Sequence, residues 1–129
     1  MVNRSKAKGT SWESAIVAYL TELGWPHIER RTLAGSNDRG DIAGIPGIVI
    51  EAKSVKSITL GAFVDEAKRE ASNDTHATKR EFNSLGVAWI KRRGHTSAAR
   101  GYVVMDGDTF ACLLDEAGYG PNRESEGVA

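Results

Sequence analysis

The chain has 129 residues, of which 40% are hydrophobic and 26% charged, and this composition is typical of one globular domain spanning residues 1–129. Its 17 basic and 17 acidic side chains cancel, so net charge alone indicates no nucleic-acid partner. The charge is uneven, however. Residues 106–129 hold six acids and one base, which leaves residues 1–105 with sixteen bases against eleven acids. That excess permits a face that binds a polyanion.

The single cysteine, Cys112, excludes an intramolecular disulfide and a four-cysteine zinc or iron–sulfur site. No signal peptide is recognisable, and no apolar run reaches the ~20 residues that a membrane-spanning helix needs. We therefore expect a cytoplasmic protein without a membrane partner.

The first half of the chain predicts one helix followed by three strands. Residues 1–9 are polar and basic and predict a mobile arm. Apolar side chains then recur at helical spacing from Trp12 to Leu23, and Gly24 ends the helix. Strands are expected at residues 27–33, 41–43 and 48–53, with a loop at 34–40 and a Gly/Pro turn at 44–47.

The second half predicts a helix, two strands and a last helix. The first of these helices starts near residue 60 and has an apolar face made of Leu60, Phe63, Val64, Ala67 and Ala71. Strands are expected at 87–91 and 102–105, a last helix around residues 110–114, and a flexible tail at 118–129. This order predicts an α/β fold in which helices flank a mixed central sheet.

The most informative segment is residues 39–53, RGDIAGIPGIVIEAK. Glu51 and Lys53 lie two residues apart on a strand, so their side chains share one face while Ala52 faces the core. Asp41 lies on the partner strand. A three- or five-residue connection, or a bulge, puts Asp41 beside Glu51, whereas a four-residue turn puts it opposite Ile50. We predict the first arrangement.

Two carboxylates at that distance repel each other unless a cation lies between them. Their oxygen atoms suit Mg²⁺, for which Mn²⁺ can substitute. A lysine beside the metal can orient or deprotonate a water molecule and offset phosphate charge. These groups together predict the hydrolysis of phosphodiester bonds.

The pattern Asp41…Glu51-Ala52-Lys53 resembles the PD-(D/E)XK nuclease superfamily, with Gly40 in place of the proline in the motif name. The segment KGTSWE opening a helix, the basic strand after it and the motif hairpin are similar to the archaeal and phage Holliday-junction resolvases. This similarity covers roughly residues 8–105. It implies a restriction-endonuclease-like core and a magnesium-dependent DNA endonuclease that leaves 5′-phosphate and 3′-hydroxyl ends.

The resemblance also implies roles for individual residues. Asp41 and Glu51 hold the metal, with the Ala52 carbonyl as a further ligand, and Lys53 positions the attacking water. Glu13 matches the helix glutamate that completes the metal site in that family, where it binds a second ion or the water.

Each of these residues also has a structural interpretation. Thr10-x-x-Glu13 is a capping-box pattern, in which Thr10 caps the helix and Glu13 bonds back to its amide. The sequence pattern by itself favours the cap, and the resemblance favours the metal ligand. Asp41 can be an ordinary turn acid, and Glu51 with Lys53 an exposed ion pair of little energetic value.

A resolvase implies two partners, a four-way DNA junction and a second copy of the chain, because it cuts two strands symmetrically. Candidates for the dimer interface are Phe63 with Val64, or the strand at 87–90 with Trp89, and for each of these side chains taken singly the pattern favours the chain's own core. Basic residues must contact phosphates, since charge neutralisation supplies most non-specific affinity. The DNA-binding candidates are Lys8, Arg30, Arg31, Lys56, Arg92 and Arg93.

Two other functions stay open at this point. One is a nickase, or a single-strand or flap nuclease, of the same superfamily that acts as a monomer. The other is a non-catalytic nucleic-acid-binding module on the same fold.

Overall fold

The computed structural model describes residues 4–31 and 38–121, with side chains from residue 7 onward. Three helices flank one mixed sheet of five strands, which confirms the α/β prediction and its order of elements. The helices are α1 Arg4–Leu23, α2 Leu60–Thr78 and α3 Gly107–Leu114. The strands are β1 Glu29–Arg30, β2 Ile42–Ala43, β3 Ile48–Lys53, β4 Leu85–Ile90 and β5 Tyr102–Val104. None of the helices in these ranges has both the length and the apolarity to cross a bilayer.

The strands lie side by side in chain order. β3 and β4 form the parallel pair, with Ile48 opposite Leu85 and Lys53 opposite Ile90, and the other pairs are antiparallel. A parallel pair cannot be joined by a tight turn, and α2 supplies the crossover between its strands. The carboxyl ends of β3 and β4 therefore lie next to each other at the same end of the sheet.

Each face of the sheet packs against a different helix. On β4, Val87 and Trp89 belong to the core cluster under α1, whereas Ala88 and Ile90 lie in the cluster under α2. The indole nitrogen of Trp12 on α1 donates a buried hydrogen bond of 2.9 Å to the Trp89 carbonyl. This alternation decides which helix a side chain on the strands can meet.

α2 approaches β4 closely because Gly86 has no side chain. A Cβ atom added to Gly86 would lie 2.2 Å from the carbonyl oxygen of Ala67, a backbone atom that cannot rotate away. Because α2 lies this close to the sheet, its polar side chains can contact the β2–β3 hairpin, as Glu66 contacts Lys53.

α1 begins earlier than the sequence pattern predicts. Residues 4–9 belong to the helix, so the prediction of a mobile arm is wrong for them, and residues 1–3 lie outside the described residues. Lysine, arginine and alanine are good helix formers, and this stretch needs no apolar face to extend the helix. Thr10 and Glu13 are consequently inside the helix, and the capping-box interpretation is wrong. The Thr10 hydroxyl instead accepts a hydrogen bond of 3.4 Å from Arg30.

Most other predicted elements differ from the observed ones by one to three residues at an end, and β1 and the tail differ in other ways. β1 is limited to Glu29–Arg30 where a strand over 27–33 was expected; residues 32–37, with most of the predicted loop, lie outside the described residues. Of the predicted tail, residues 118–121 are described and follow α3 through a π-helical turn at Asp115–Tyr119, and residues 122–129 are not described.

The residues expected at a dimer interface lie in the core. Phe63 and Trp89 are each 8% exposed and pack in the two core clusters, and Val64 is half-buried. The core interpretation of Phe63 and Trp89 is therefore confirmed, because both helix and strand use these side chains to cover the sheet. Exposed apolar side chains occur instead on β5 and α3: Tyr102, Val103, Phe110 and Leu114.

Candidate functional site

The hairpin of β2 and β3 brings Asp41 to Glu51. Ile42 pairs with Ile50, and Asp41, which directly precedes β2, lies beside Glu51, as predicted. The Asp41 amide donates to the Ile50 carbonyl at 2.9 Å, and the Ala52 amide donates to Asp41 Oδ2 at 2.8 Å. Ala52 packs against the cluster under α1, as predicted, so Glu51 and Lys53 point to the α2 side.

Gly40 permits the chain to enter this hairpin. Its φ is +93°, which glycine adopts without strain, and an added Cβ would lie 2.7 Å from Val49 Cγ1. A proline, which the motif name carries at this position, cannot adopt a positive φ. The local backbone therefore explains the departure from the motif.

Lys53 is fixed between a strand and a helix. Its Nζ lies 3.2 Å from Glu51 Oε1, 2.7 Å from Glu66 Oε2 and 5.3 Å from the centre of the Phe63 ring. Burial acts to lower the pKa of Lys53, but the hydrogen bond that its ammonium group donates to Glu66 and the charge of Glu51 outweigh burial, and the pKa lies above its ordinary value. The side chain is therefore an ammonium ion, suited to orient a water molecule and to offset negative charge.

Glu13 lies beside Asp41 but reaches it from the other side of the sheet, since α1 covers the face opposite to Glu51 and Lys53. Its Oε1 is 3.9 Å from Nε of Arg30. Burial raises the pKa of Glu13, the charge of Asp41 raises it further, and Arg30 acts in the opposite direction. The structure thus brings Glu13 to the border of the acidic cluster.

Sequence reasoning missed two acidic residues at the same place. Carboxylate oxygens of Asp38, Glu51 and Glu70 all lie within 4.8 Å of one another, the one such group of three found among the described residues. A signal for Glu70 was present: it lies between Ala67 and Ala71, within the apolar stripe of α2, where a charged side chain is unexpected. Asp38 in its loop gave no comparable signal.

Asp41, Glu51 and Glu70 each have a pKa above the ordinary value of the side chain. Burial, together with the neighbouring Asp41, raises the pKa of Glu51 to about 7. Burial and the hydrogen bond with Glu51 raise the pKa of Glu70 to about 10. Burial also raises the pKa of Asp41. The acidic groups are thus crowded together with too little positive charge to balance them.

The predicted DNA-binding residues Lys56, Arg92 and Arg93 follow the carboxyl ends of β3 and β4, at one end of the sheet. The Lys91 amide donates to the Lys53 carbonyl at 2.9 Å, so the segments that follow the two strands leave the sheet together. Lys56 and Arg93 are exposed there, and the guanidinium of Arg92 stacks 4.8 Å above the Tyr102 ring.

The remaining predicted contacts lie on the β1 and α1 side of the site. The Arg31 amide donates to the Asp41 carbonyl at 2.7 Å, and Arg30 pairs with Glu13. Lys8 is exposed on α1, more than one turn before Glu13. The basic candidates therefore flank the acidic cluster on two sides.

No protein family, curated protein or solved structure matches this chain. Its function must therefore be inferred from its own residues.

Proposed function

We propose that the chain is a Mg²⁺-dependent, structure-selective DNA endonuclease, a Holliday-junction resolvase built on a restriction-endonuclease-like core. The observation that carries this proposal is the end of β3, where Glu51 and Lys53 share one face and Asp41 lies beside Glu51. Paired carboxylates and a fixed ammonium at the end of the central strand are groups that metal-assisted phosphodiester hydrolysis uses.

A divalent cation fits these residues. Glu51 is 6% exposed, and its Oε2 is buried with no hydrogen-bond partner among the described residues. A buried carboxylate oxygen without a partner is costly unless a cation binds it. Asp41 Oδ1, and the Ala52 carbonyl that follows Glu51, would complete a set of oxygen ligands of the kind that Mg²⁺ and Mn²⁺ prefer. When bound, the ion would polarise the phosphate and lower the pKa of a water molecule.

The chain's own residues would then divide the remaining work. Lys53 would orient the attacking water and offset the charge of the phosphate, because Glu66 and Phe63 hold its ammonium group next to Glu51. Glu13 lies at the border of the site and would influence the reaction through its electrostatic interaction with Asp41.

The basic residues on both sides of the cluster support a nucleic-acid substrate. Arg30 and Arg31 lie on one side of the cluster, and Lys56, Arg92 and Arg93 on the other, so a phosphate backbone that crosses the end of β3 would meet both groups. Such contacts supply affinity without base specificity, as recognition of a branched shape requires.

Symmetric cutting of a junction needs two active sites, and we propose a homodimer for this reason. The exposed apolar side chains on β5 and α3 offer one surface for it, since the earlier candidates Phe63 and Trp89 belong to the core. Light scattering at micromolar concentration is expected to report about twice the monomer mass of 13.9 kDa.

The decisive experiment is cleavage of labelled four-way junction, duplex and single-stranded DNA, each with Mg²⁺ and with EDTA. We expect paired, symmetric nicks in the junction with Mg²⁺ only. Glu51→Gln is expected to reduce the cleavage rate by at least about 100-fold while junction binding persists, because the lost carboxylate acts on the reaction. Glu22→Gln, an exposed acid on α1, is the matched control and should cut normally.

Each other outcome identifies a different function. Cleavage of a single strand by a protein that stays monomeric on the junction favours the nickase. Binding without cleavage under every metal condition favours the non-catalytic module. A Glu51→Gln protein that cuts like the wild type removes the proposed site.

A further inference from the structure

α2 holds the segment before the hairpin against Glu70. The Asn73 side chain donates a hydrogen bond of 2.8 Å to the Asp38 carbonyl, and Asp74 forms an ion pair of 2.7 Å with Arg39. These two residues of α2 lie three and four positions after Glu70, on the same face of the helix. Two contacts at this spacing fix the backbone of residues 38–39, and they set the Asp38 carboxylate beside Glu70.

The resulting pocket has polar atoms without partners. Glu51 is 6% exposed and Glu70 is 2% exposed. In both side chains Oε2 is buried and accepts no hydrogen bond from the described residues. Asp38 Oδ1 accepts one bond, from the Gly40 amide at 2.9 Å. Buried carboxylates with unused oxygens, in side chains that bring carboxylate oxygens within 4.8 Å of one another, leave a need for a positive charge between them.

The nearest basic side chains do not supply that charge. Lys53 is shared between Glu51 and Glu66, and Arg39 is bonded to Asp74 through both Nε and Nη2. Among the described residues near the pocket, acids therefore outnumber the bases that could neutralise them.

We propose that Asp38, Glu51 and Glu70 form a second divalent-cation site, which shares Glu51 with the Asp41 site and makes α2 part of the metal centre. Three oxygens at most 4.8 Å apart have a common point no more than about 2.8 Å from each. Small side-chain movements bring this spacing to the ~2.1 Å that Mg²⁺ or Mn²⁺ needs. The inference rests on the proposed function only for the first ion, which Asp41 and Glu51 would hold.

The test is to count the ions bound by purified, metal-free protein, using Mn²⁺ alone as the probe. Free Mn²⁺ is measured by its electron paramagnetic resonance signal, with no DNA present. The wild type is expected to bind two ions per chain, Glu70→Gln and Asp38→Asn one each, and Asp41→Asn also one. Asp65→Asn removes an exposed acid of α2 outside the triad and is expected to bind like the wild type.

The variants also separate a lost ligand from a lost fold. Far-UV circular dichroism establishes that each variant is folded, and Asp38→Asn, on a half-buried segment, carries the test if Glu70→Gln does not fold. A rise in melting temperature on adding Ca²⁺ gives a second readout. This rise should be smaller in Glu70→Gln and in Asp38→Asn than in Asp65→Asn.

Two results would overturn the second site. One is a wild type that binds a single ion, which Asp41→Asn loses and the triad variants retain; the proposed nuclease function would then still stand. The other is no Mn²⁺ binding at millimolar concentration, which would mean that Glu70 and Glu51 share a proton in place of a metal. Junction cleavage with Mg²⁺ tests the nuclease function separately in either case.

Discussion

The buried carboxyl pair of Glu51 and Glu70 predicts that the metal-free protein becomes less stable as the pH rises from about 5 to about 7. The folded state raises the pKa of Glu51 from 4.5 to about 7 and that of Glu70 from 4.5 to about 10. Above pH 4.5 and below these raised pKa values, the folded chain binds more protons than the unfolded chain. The free energy of unfolding therefore falls with pH, and the full stability is present below about pH 4.5.

Counting a single extra proton for the coupled pair gives a minimum size for the effect. If the pair keeps one proton that the unfolded chain has lost, each pH unit costs about 1.4 kcal/mol, or about 3 kcal/mol between pH 5 and pH 7. For a chain of this length that loss lowers the melting temperature by about 10 °C. Asp38, Asp41 and Glu66 face the pair and oppose its ionisation, and Lys53 favours ionisation.

Another shifted group does not act in this range. The pKa of Asp74 is lowered: burial raises it, but hydrogen bonds from Ser84 and Arg39 outweigh burial. Its contribution to stability is complete above the unfolded pKa of about 4 and is lost only in more acidic solution.

Denaturant unfolding in EDTA at several pH values measures this slope. In Glu70→Gln the amide can still donate to Glu51 but carries no titrating proton, so we expect a clearly flatter dependence and higher stability at pH 7. Glu22→Gln, on the surface of α1, should keep the wild-type slope. A wild type whose stability is constant or rises from pH 5 to pH 7 would refute the reasoning, as would an unchanged slope in Glu70→Gln.

Four further predictions address single side chains. Lys53→Ala should lower the cleavage rate by about 100-fold or more with little change in junction affinity, and an equal loss of both would argue against a role in the reaction. Glu13→Gln should reduce cleavage while leaving the melting temperature within about 2 °C of the wild type, because no cap is lost; normal cleavage would remove Glu13 from the site. Asp74→Ala should cost about 3 kcal/mol in denaturant unfolding, because Arg39 and Arg80, which both pair with Asp74, lose their buried partner; a cost below about 1 kcal/mol would mean that the network is weak. Gly86→Ala should destabilise the protein by at least about 2 kcal/mol, because the new Cβ would clash with the backbone of Ala67. Gly61→Ala, which has open space around it in α2, should stabilise the protein by about 0.5–1 kcal/mol. Equal effects of the two substitutions would contradict the close packing.

The hairpin could be predicted from sequence because its information is local. Alternation on a strand places Glu51 and Lys53 on one face, and the parity of the turn places Asp41 beside Glu51. The order of elements was predictable for the same reason, since each helix and strand has its own period. The start of α1 was not, because the residues before Trp12 have no apolar pattern to mark a boundary.

The acids contributed by other elements could not be placed in the same way. Glu70 meets Glu51 only because α2 crosses between two parallel strands and lies close to Gly86, and neither fact is local in sequence. The interface candidates were ambiguous for a related reason. An apolar stripe such as that of Phe63 predicts burial, but it does not distinguish burial under the chain's own sheet from burial under a second chain.

The parallel register of β3 and β4 has a consequence for how the protein can diverge. The strands end level with each other, and the segments that follow them, residues 54–59 and 91–97, leave the sheet at the same end as Glu51 and Lys53. The side chains that hold the two core clusters together come mainly from the helices and strands. Insertions or charge changes in these two loops can therefore alter what approaches the acidic cluster while the packing beneath it stays the same. If the proposed function is correct, selectivity for one nucleic-acid shape over another can in this way change separately from stability.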